Sequence, residues 1–401
     1  MYEILHVVYA PSFMIGGINS YVNEIFKFTK SKNHNIGIVY IDKIVNSNSD
    51  LIIRDKKKIK KIYRIYKSFY DLLPLKIKEY IKLKSIEKNL LKIKDKINKD
   101  TIFHIHSVLL YDIIRKNFKD NKIILTLHGY YTYEHLSDGD IKVNSKQFYN
   151  MLNLEKNIYT KVDAVIAVDK NLFEHCKKLS PNANVFMKPN FVDNLKFKPI
   201  SKDKKIKLKK QFNVEHKLVF LTTRRLELKN GVHILAKAIT LLSDEIIKNS
   251  VFFIVGDGSE RTKIEKILSN TNASIKLLGS IPHEGIVTYY QLSDVFIIPS
   301  INTEGVEEAT SISTLEAMAC GNIVIASNIG GLKILIEDNK NGFLVEQNNA
   351  LQLKEKIEYV YNNYKNLENI KLEARNTIEK KFSIENYYVF LNNLYNKVRV
   401  N

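Results

Sequence analysis

Ten short apolar runs of strand length recur along the chain with helix-length segments between them, and that alternation constrains the fold more than any other feature. The first five are ILHVVYA (Ile4 to Ala10), NIGIVYI (Asn35 to Ile41), TIFHIH (Thr101 to His106), KIILTLH (Lys122 to His128) and DAVIAV (Asp163 to Val168). Near-continuous β-branched runs spaced in this way indicate βαβ units, and so a parallel sheet covered on both faces. The segment PNFVDNLKFKP (Pro189 to Pro199) has a proline at each end and no sustained period, which reads as a hinge before the lysine-rich stretch SKDKKIKLKK. The alternation then resumes with LVFLTT (Leu218 to Thr223), VFFIVG (Val251 to Gly256), SIKLLG (Ser274 to Gly279), VFIIPS (Val295 to Ser300) and NIVIAS (Asn322 to Ser327). Two doubly wound α/β domains are expected, over residues 1–190 and 200–375, with 376–401 forming a terminal segment. No short internal repeat suggests a solenoid.

The chain has 401 residues, 45% of them hydrophobic and 26% charged, which excludes a wholly disordered or fibrous protein. Its formal net charge is +19. Either an anionic partner such as nucleic acid, phospholipid or a phosphorylated substrate explains that excess, or a genome-wide bias toward Lys, Ile and Asn does. Much of the charge lies between Arg54 and Lys99, where Ile59, Ile62, Tyr63, Tyr66, Phe69, Tyr70 and Leu73, then Leu83, Ile86, Leu90, Ile93 and Ile97, fall at helical spacing. Basic amphipathic helices of this kind suit an anionic membrane surface; a core-facing apolar stripe with a solvated lysine face is the alternative. Cys176 and Cys320 stand far apart in apolar contexts, so neither a disulfide framework nor a zinc site is indicated. No run approaches eighteen apolar residues and no basic flank precedes the first one, so the expected location is cytoplasmic, free or peripheral at the inner face of the plasma membrane.

The strongest local signal is INTEGVEEATSISTLEAMACGNIVIASNIGG. Thr310, Ser311 and Ser313 are capping residue types, Leu315, Met318 and Ala319 form a buried stripe, and Gly321 is a stop. A helix that starts directly after a parallel strand offers free N–H groups and a positive dipole end, which favours a diphosphate at Thr310, Ser311 and Ile312. Glu308 precedes that helix and faces the leaving end of such a ligand, unless it is one more solvated carboxylate beside Glu304 and Glu307. Glu316 can accept from a pair of ribose hydroxyls, or complete a capping box with Ser313. In TTRRLELKNGVHILAKAI, Arg224, Arg225 and Lys229 follow a strand, where open α/β sheets bind ligands, and can neutralise a diphosphate. Gly256 and Gly258 form a strand-to-helix turn, a weak signal because tight turns need the same residues. Gly16 and Gly17 follow the first strand, where absent side chains permit close approach of a ligand. His128 ends a strand ahead of Gly129, which sets an imidazole at the sheet edge. The DGD at Asp138 to Asp140 has the look of a metal-binding pair but reads as a turn.

Together these segments resemble the retaining glycosyltransferases of family 4, which have the two-domain GT-B fold. The resemblance extends over nearly the whole chain, through the early glycine pair, the HG after a strand, PNFVDNLKFKP, RRLELKNG, VGDGSER, LLGSIPHEGIVTYYQLSDVFIIPS, LEAMACG and the late FSIENY. It implies two Rossmann-like domains facing across a cleft that closes on the hinge, and a last helix, around Tyr387 to Val398, packed back on the first domain. It further implies that the counterparts of Arg225 and Lys229 grip the donor diphosphate, Glu308 contacts the transferring sugar and Glu316 holds the ribose. The backbone near Ile281 meets the base and His128 lies by the sugar. No metal or resident cofactor is implied; the donor is a nucleotide-diphosphate sugar, and the acceptor a glycan or lipid-linked species of capsule or lipopolysaccharide synthesis. Many members have one more residue between the arginine and the lysine, which makes Arg224 the rival of Arg225. Many also have glycines where this chain has Ala309, Thr310 and Ser311. A nucleotide-sugar epimerase shares the fold, and a basic nucleic-acid-binding protein is the alternative from another class, although no aromatic-rich basic recognition motif supports nucleic acid as a partner.

Overall fold

A computed structural model describes residues 1–12, 14, 17–46, 73–303, 308 and 310–400. Gly16, the apolar positions from Ile59 to Tyr70, and Glu304, Glu307 and Ala309 lie outside the described residues. Residues 1–188 with 388–401 make one compact unit, and 189–387 a second.

In the first unit seven strands are described: β1 (Ile4–Val7), β2 (Ile36–Val39), β3 (Ile44–Asn46), β4 (Ile102–Ile105), β5 (Ile123–Leu127), β6 (Ala164–Ala167) and β7 (Val185–Met187). They lie in the order β3-β2-β1-β4-β5-β6-β7, all parallel except for the β2–β3 pair. Every residue of β1, β2, β4, β5 and β6 is buried. Unbroken apolar runs, rather than alternating ones, are what a sheet with both faces covered requires.

The second unit holds β8 (Leu218–Thr223), β9 (Ser250–Val255), β10 (Ile275–Gly279), β11 (Val295–Ile298), β12 (Ile323–Ser327) and β13 (Phe343–Val345) in the order β10-β9-β8-β11-β12-β13, parallel throughout. Separate apolar clusters fill its two faces. In both units the winding reverses beside the first strand, at β1/β4 and at β8/β11, and loops leaving two such strands in opposite directions open a crevice at the carboxyl edge. Three short strands, β3, β7 and β13, are additions to the ten expected from sequence.

Several sequence expectations change here. The run Pro189 to Pro199 is tied into the second unit: the Val192 N–H donates to Phe382 O, the Ile384 N–H donates to Val192 O, and Arg375 donates to the carbonyls of Asn194 and Phe197. Residues 376–387 stay with the second unit, so the chain returns to the first at 388 rather than at 376. There Tyr395, on the helix Ile384–Val400, places its hydroxyl 2.7 Å from His104 Nδ1.

The lysine-rich stretch forms the helix Lys202–Gln211 under a Ser201 cap, and Lys205 and Lys209 lie 2.8 and 2.7 Å from the buried Asp294 carboxylate. Burial works to raise that carboxyl, but the two lysines outweigh it and hold it below its usual value. The basic helix of the first unit runs Leu75–Lys92 and buries Ile86, Asn89 and Leu90. Its apolar pattern outlasts it, because Ile97 reaches the core only after a 3-10 turn at Lys94–Lys96. The first half of the same helix leaves Ile77, Tyr80 and Ile81 exposed. Among the described residues no helix is long and apolar enough to cross a membrane. Cys176 and Cys320 are buried and unpaired, and burial pushes the Cys176 thiol up to about 12.

Candidate active site

At the β8/β11 reversal of the second unit the two loops are laced together. The Ile301 N–H donates to Lys229 O at 2.9 Å, fixing the lysine backbone against the end of β11. Gly231 makes this approach possible: its φ is +65°, and a Cβ there would stand 1.8 Å from Pro299 O. Gly256 has φ +142° and lies against Arg224 O, while Gly258 lies against Leu226 O. These two glycines let one loop of the protein pack on another, as the tight-turn alternative expects. The Leu226 N–H donates to Asp257 O and the Glu260 N–H donates to Leu226 O, stitching the same two loops.

That lacing sets Arg224 and Glu308 face to face. The guanidinium donates from Nη1 to Oε1 at 3.1 Å and from Nη2 to Oε2 at 2.5 Å, and it also donates to Asn230 Oδ1 at 2.5 Å. Ser300 Oγ donates to Glu308 Oε2 at 3.2 Å, and Asn230 Nδ2 donates to Arg225 O at 2.8 Å. The structure therefore brings Arg224, not Arg225, to Glu308; the Arg225 side chain is exposed. Arg225 and the half-buried Lys229 form no side-chain hydrogen bond or ion pair among the described residues, which leaves two cations beside a neutralised pair.

The helix Ile312–Ala319 begins in the same crevice. Ser311 is its cap, accepting from Thr314 N, and Asn190 Nδ2 donates to Thr310 O. The capping box proposed for Ser313 and Glu316 does not form, because the cap lies two residues earlier. Glu316 is instead buried against His283, whose Nε2 lies 2.7 Å from Oε1. Burial first, and the neighbouring Glu316 carboxylate second, hold the Tyr290 phenol protonated, and its oxygen lies 2.7 Å from Thr223 Oγ1. Gly321, at φ +76°, ends the helix as expected. Ile281 is partly buried on the apolar cluster of this face, two residues before His283. Asn230, His283 and Ser300 were not singled out from sequence; the IPH and KNG segments held the first two, but only the fold shows that they meet Glu316 and Arg224.

In the first unit His128 stands at the carboxyl edge just past β5, with its Nε2 2.9 Å from His106 Nδ1. Three more buried imidazoles lie behind it in the sheet. His106 Nε2 is 3.0 Å from His6 Nδ1, and His104 is engaged at both nitrogens, by Tyr395 and Thr126, each at 2.7 Å. Burial drives the pKa of His6 and of His128 down to about 3. It holds His104 and His106 well below the usual value, and the neighbouring imidazoles add to the effect. The four rings are neutral at physiological pH. Gly17 starts the helix Gly17–Ser31 next to this edge, and Asn19 Nδ2 donates to the carbonyls of Pro11 and Met14 to hold the loop. The DGD is a helix end: Gly139 has φ +77° and Asp140 bonds His135 at 2.7 Å.

Two doubly wound units, one of them with cations and a helix tip at its switch point, define the GT-B glycosyltransferase fold. A solved structure of that fold, Anabaena HepE in complex with UDP, matches 99% of this chain and 100% of its own with a TM-score of 0.71 at 17% identity. Residues 203–377 match the family model described as glycosyl transferases group 1. An uncharacterized glycosyltransferase of Methanocaldococcus jannaschii is 28% identical over 389 residues, which cover 92% of each chain. The UDP-Gal:alpha-D-GlcNAc-diphosphoundecaprenol alpha-1,3-galactosyltransferase of Escherichia coli is 32% identical over 162 residues, 40% of this chain and 41% of its own. The chain is a glycosyltransferase, and its second unit carries the group 1 domain.

Proposed function

We propose that the protein is a retaining glycosyltransferase of family 4 that moves a sugar from a nucleotide-diphosphate donor, with uridine the base, to a lipid-linked glycan of a cell-surface polysaccharide. The observation that carries this reading is the Arg224–Glu308 pair at β8/β11, with Lys229 held through its carbonyl against the end of β11 and the helix Ile312–Ala319 starting four residues after Glu308. Breaking the anomeric bond leaves negative charge on the departing diphosphate, and preorganised cations and helix N–H groups lower that barrier without rearranging. Lys229 and Arg225 meet the phosphates, with Thr310, Ser311 and Ile312 at the helix tip. Glu308 orients the sugar, Glu316 and His283 hold the ribose, and Ile281 borders the base. These groups supply the positive charge that the leaving group needs, so the transfer runs without a metal ion.

The acceptor half of the reading rests on the first unit. His128 and Gly17 stand at its edge, and the helix Leu75–Lys92 presents exposed Ile77, Tyr80 and Ile81 beside Lys76, an apolar face with a basic rim that suits an anionic leaflet. The E. coli relative named above acts on a diphosphoundecaprenol-linked sugar, which supports the same acceptor class.

The test is to incubate the full chain with a panel of nucleotide sugars and undecaprenyl-diphosphate-linked glycans in chelator, and to read the product and its anomeric configuration by NMR. Transfer with retention, undiminished by chelator, is expected. Epimerised donor in the absence of acceptor, or an inverted product, would overturn the reading.

A further inference from the structure

The histidines of the first unit form a chain with a direction. His6 lies in β1 opposite His104 of β4, and His104 and His106 alternate onto one face of that strand's line. From interior to edge the contacts run His6 Nδ1 to His106 Nε2 at 3.0 Å and His106 Nδ1 to His128 Nε2 at 2.9 Å. His6 Nε2 is buried and has no hydrogen-bond partner. His128 Nδ1 has no partner among the described residues. Neighbouring rings hold the geometry: His104 stacks on His106 with centroids 4.7 Å apart, and Tyr21 packs its ring against the His106 and His128 rings at 5.5 and 4.9 Å.

A neutral imidazole carries one N–H and one lone pair. Each of the two nitrogen–nitrogen contacts needs one proton, so three neutral rings in series have only two consistent arrangements. In one, every ring is protonated at Nε2, which leaves the His6 Nε2–H as a buried donor with nothing to accept it. In the other, every ring is protonated at Nδ1, and the unmatched group inside is a bare lone pair. An orphaned buried donor is the rarer of the two in folded proteins.

We propose that His6 and His106 are positioning residues that lock His128 in its Nδ1–H form, so that it meets the bound sugar as a neutral hydrogen-bond donor. This rests on the reading above, in which His128 stands at the edge of the first unit that takes the acceptor glycan. An N–H directed outward orients a sugar hydroxyl by donating to its oxygen. Burial of His6 and His106, and the loss of water around the half-buried His128, keep the three rings uncharged. The same nitrogens do not suit a metal ion: His6, His104 and His106 place ligand-type atoms within 4.8 Å of one another, but both His104 nitrogens are already engaged.

The test is spectroscopic first. Long-range proton–nitrogen correlation spectra of the full chain labelled with nitrogen-15 histidine separate the two tautomers without any turnover. His128 protonated at Nδ1 and bare at Nε2, against the preference of a free imidazole, is expected from pH 8 to pH 5. In His106→Leu, His128 reverts to the Nε2–H form and kcat falls about ten- to a hundredfold, the usual cost of removing a group that orients a functional histidine. The donor KM changes far less. In His106→Asn, whose amide donates to the same nitrogen, the tautomer and most of the turnover return. A wild-type His128 found in the Nε2–H form overturns the proposal, as does full turnover in His106→Leu or stoichiometric zinc held by His6, His104 and His106. Absence of sugar transfer by the wild type strikes the proposed function instead, and leaves the tautomer measurement to stand by itself.

Discussion

The two units share a winding order and differ at the edge that it opens. At β1/β4 the edge is lined by neutral imidazoles, backed by two buried hydroxyl partners of His104 and by Tyr21. At β8/β11 it carries Arg224, Arg225, Lys229, Glu308 and Glu316, with the carboxylates already matched to an arginine and a histidine. One topology thus serves two electrostatic tasks: uncharged hydrogen bonding in the first unit, and charge opposing charge in the second. Side chains at strand ends make that division, while the sheets beneath remain interchangeable in kind.

The contrast is most exposed to acid. His6, His104 and His106 have folded pKa values depressed by burial, so the unfolded chain binds more protons than the folded one below about 6.5. Their contribution is complete above about pH 6.5 and is lost as the pH falls below it; His6, held to about 3, removes up to about 1.4 kcal/mol per pH unit on the way down, and His104 and His106 act in the same direction. Hydrogen exchange followed by mass spectrometry should show protection of β1, β4 and β5 falling ahead of β8 and β11; equal loss in both units would erase the distinction.

Next in size is Lys229→Ala, expected to lower kcat by roughly 10²–10³-fold, about 2–4 kcal/mol of transition-state stabilisation, with fold stability unchanged. Near-normal turnover would remove the charge-opposing role of the second unit. The two neighbouring arginines sharpen it further. Arg224→Ala strands the Glu308 carboxylate and should cost about 1.5–3 kcal/mol in urea unfolding, whereas Arg225→Ala, on an exposed side chain, should stay within about 0.5 kcal/mol. Equal costs would mean that the pair does not hold the loops. The smallest effect is expected from Ser311→Ala, which removes the cap of the helix Ile312–Ala319 and should destabilise by about 0.5–1 kcal/mol, read as a shift in thermal midpoint.

Sequence carried most of the fold because a covered parallel sheet writes itself as unbroken apolar runs. It missed β3, β7 and β13, which are three residues long and too short to show a period. It placed the hinge on proline spacing, and the boundary between the units does fall at Lys188–Pro189, but the carbonyls that Arg375 reaches tie the rest of that run to the second unit. Within the site, residue types were legible and partners were not: nothing local distinguishes Arg224 from Arg225, or pairs Glu316 with His283 rather than Ser313. The H-x-H that runs off the end of β4 was readable as two rings on one face, yet its meaning came only when β1 set His6 alongside.

The bond from Tyr395 to His104 has a bearing on biosynthesis. The core of the first unit is closed by a residue that the ribosome adds only after the entire second unit has been made. During synthesis the nascent first unit therefore lacks its Tyr395–His104 bond until the second unit has been made. Maturation of the amino-terminal half waits on the arrival of the last helix.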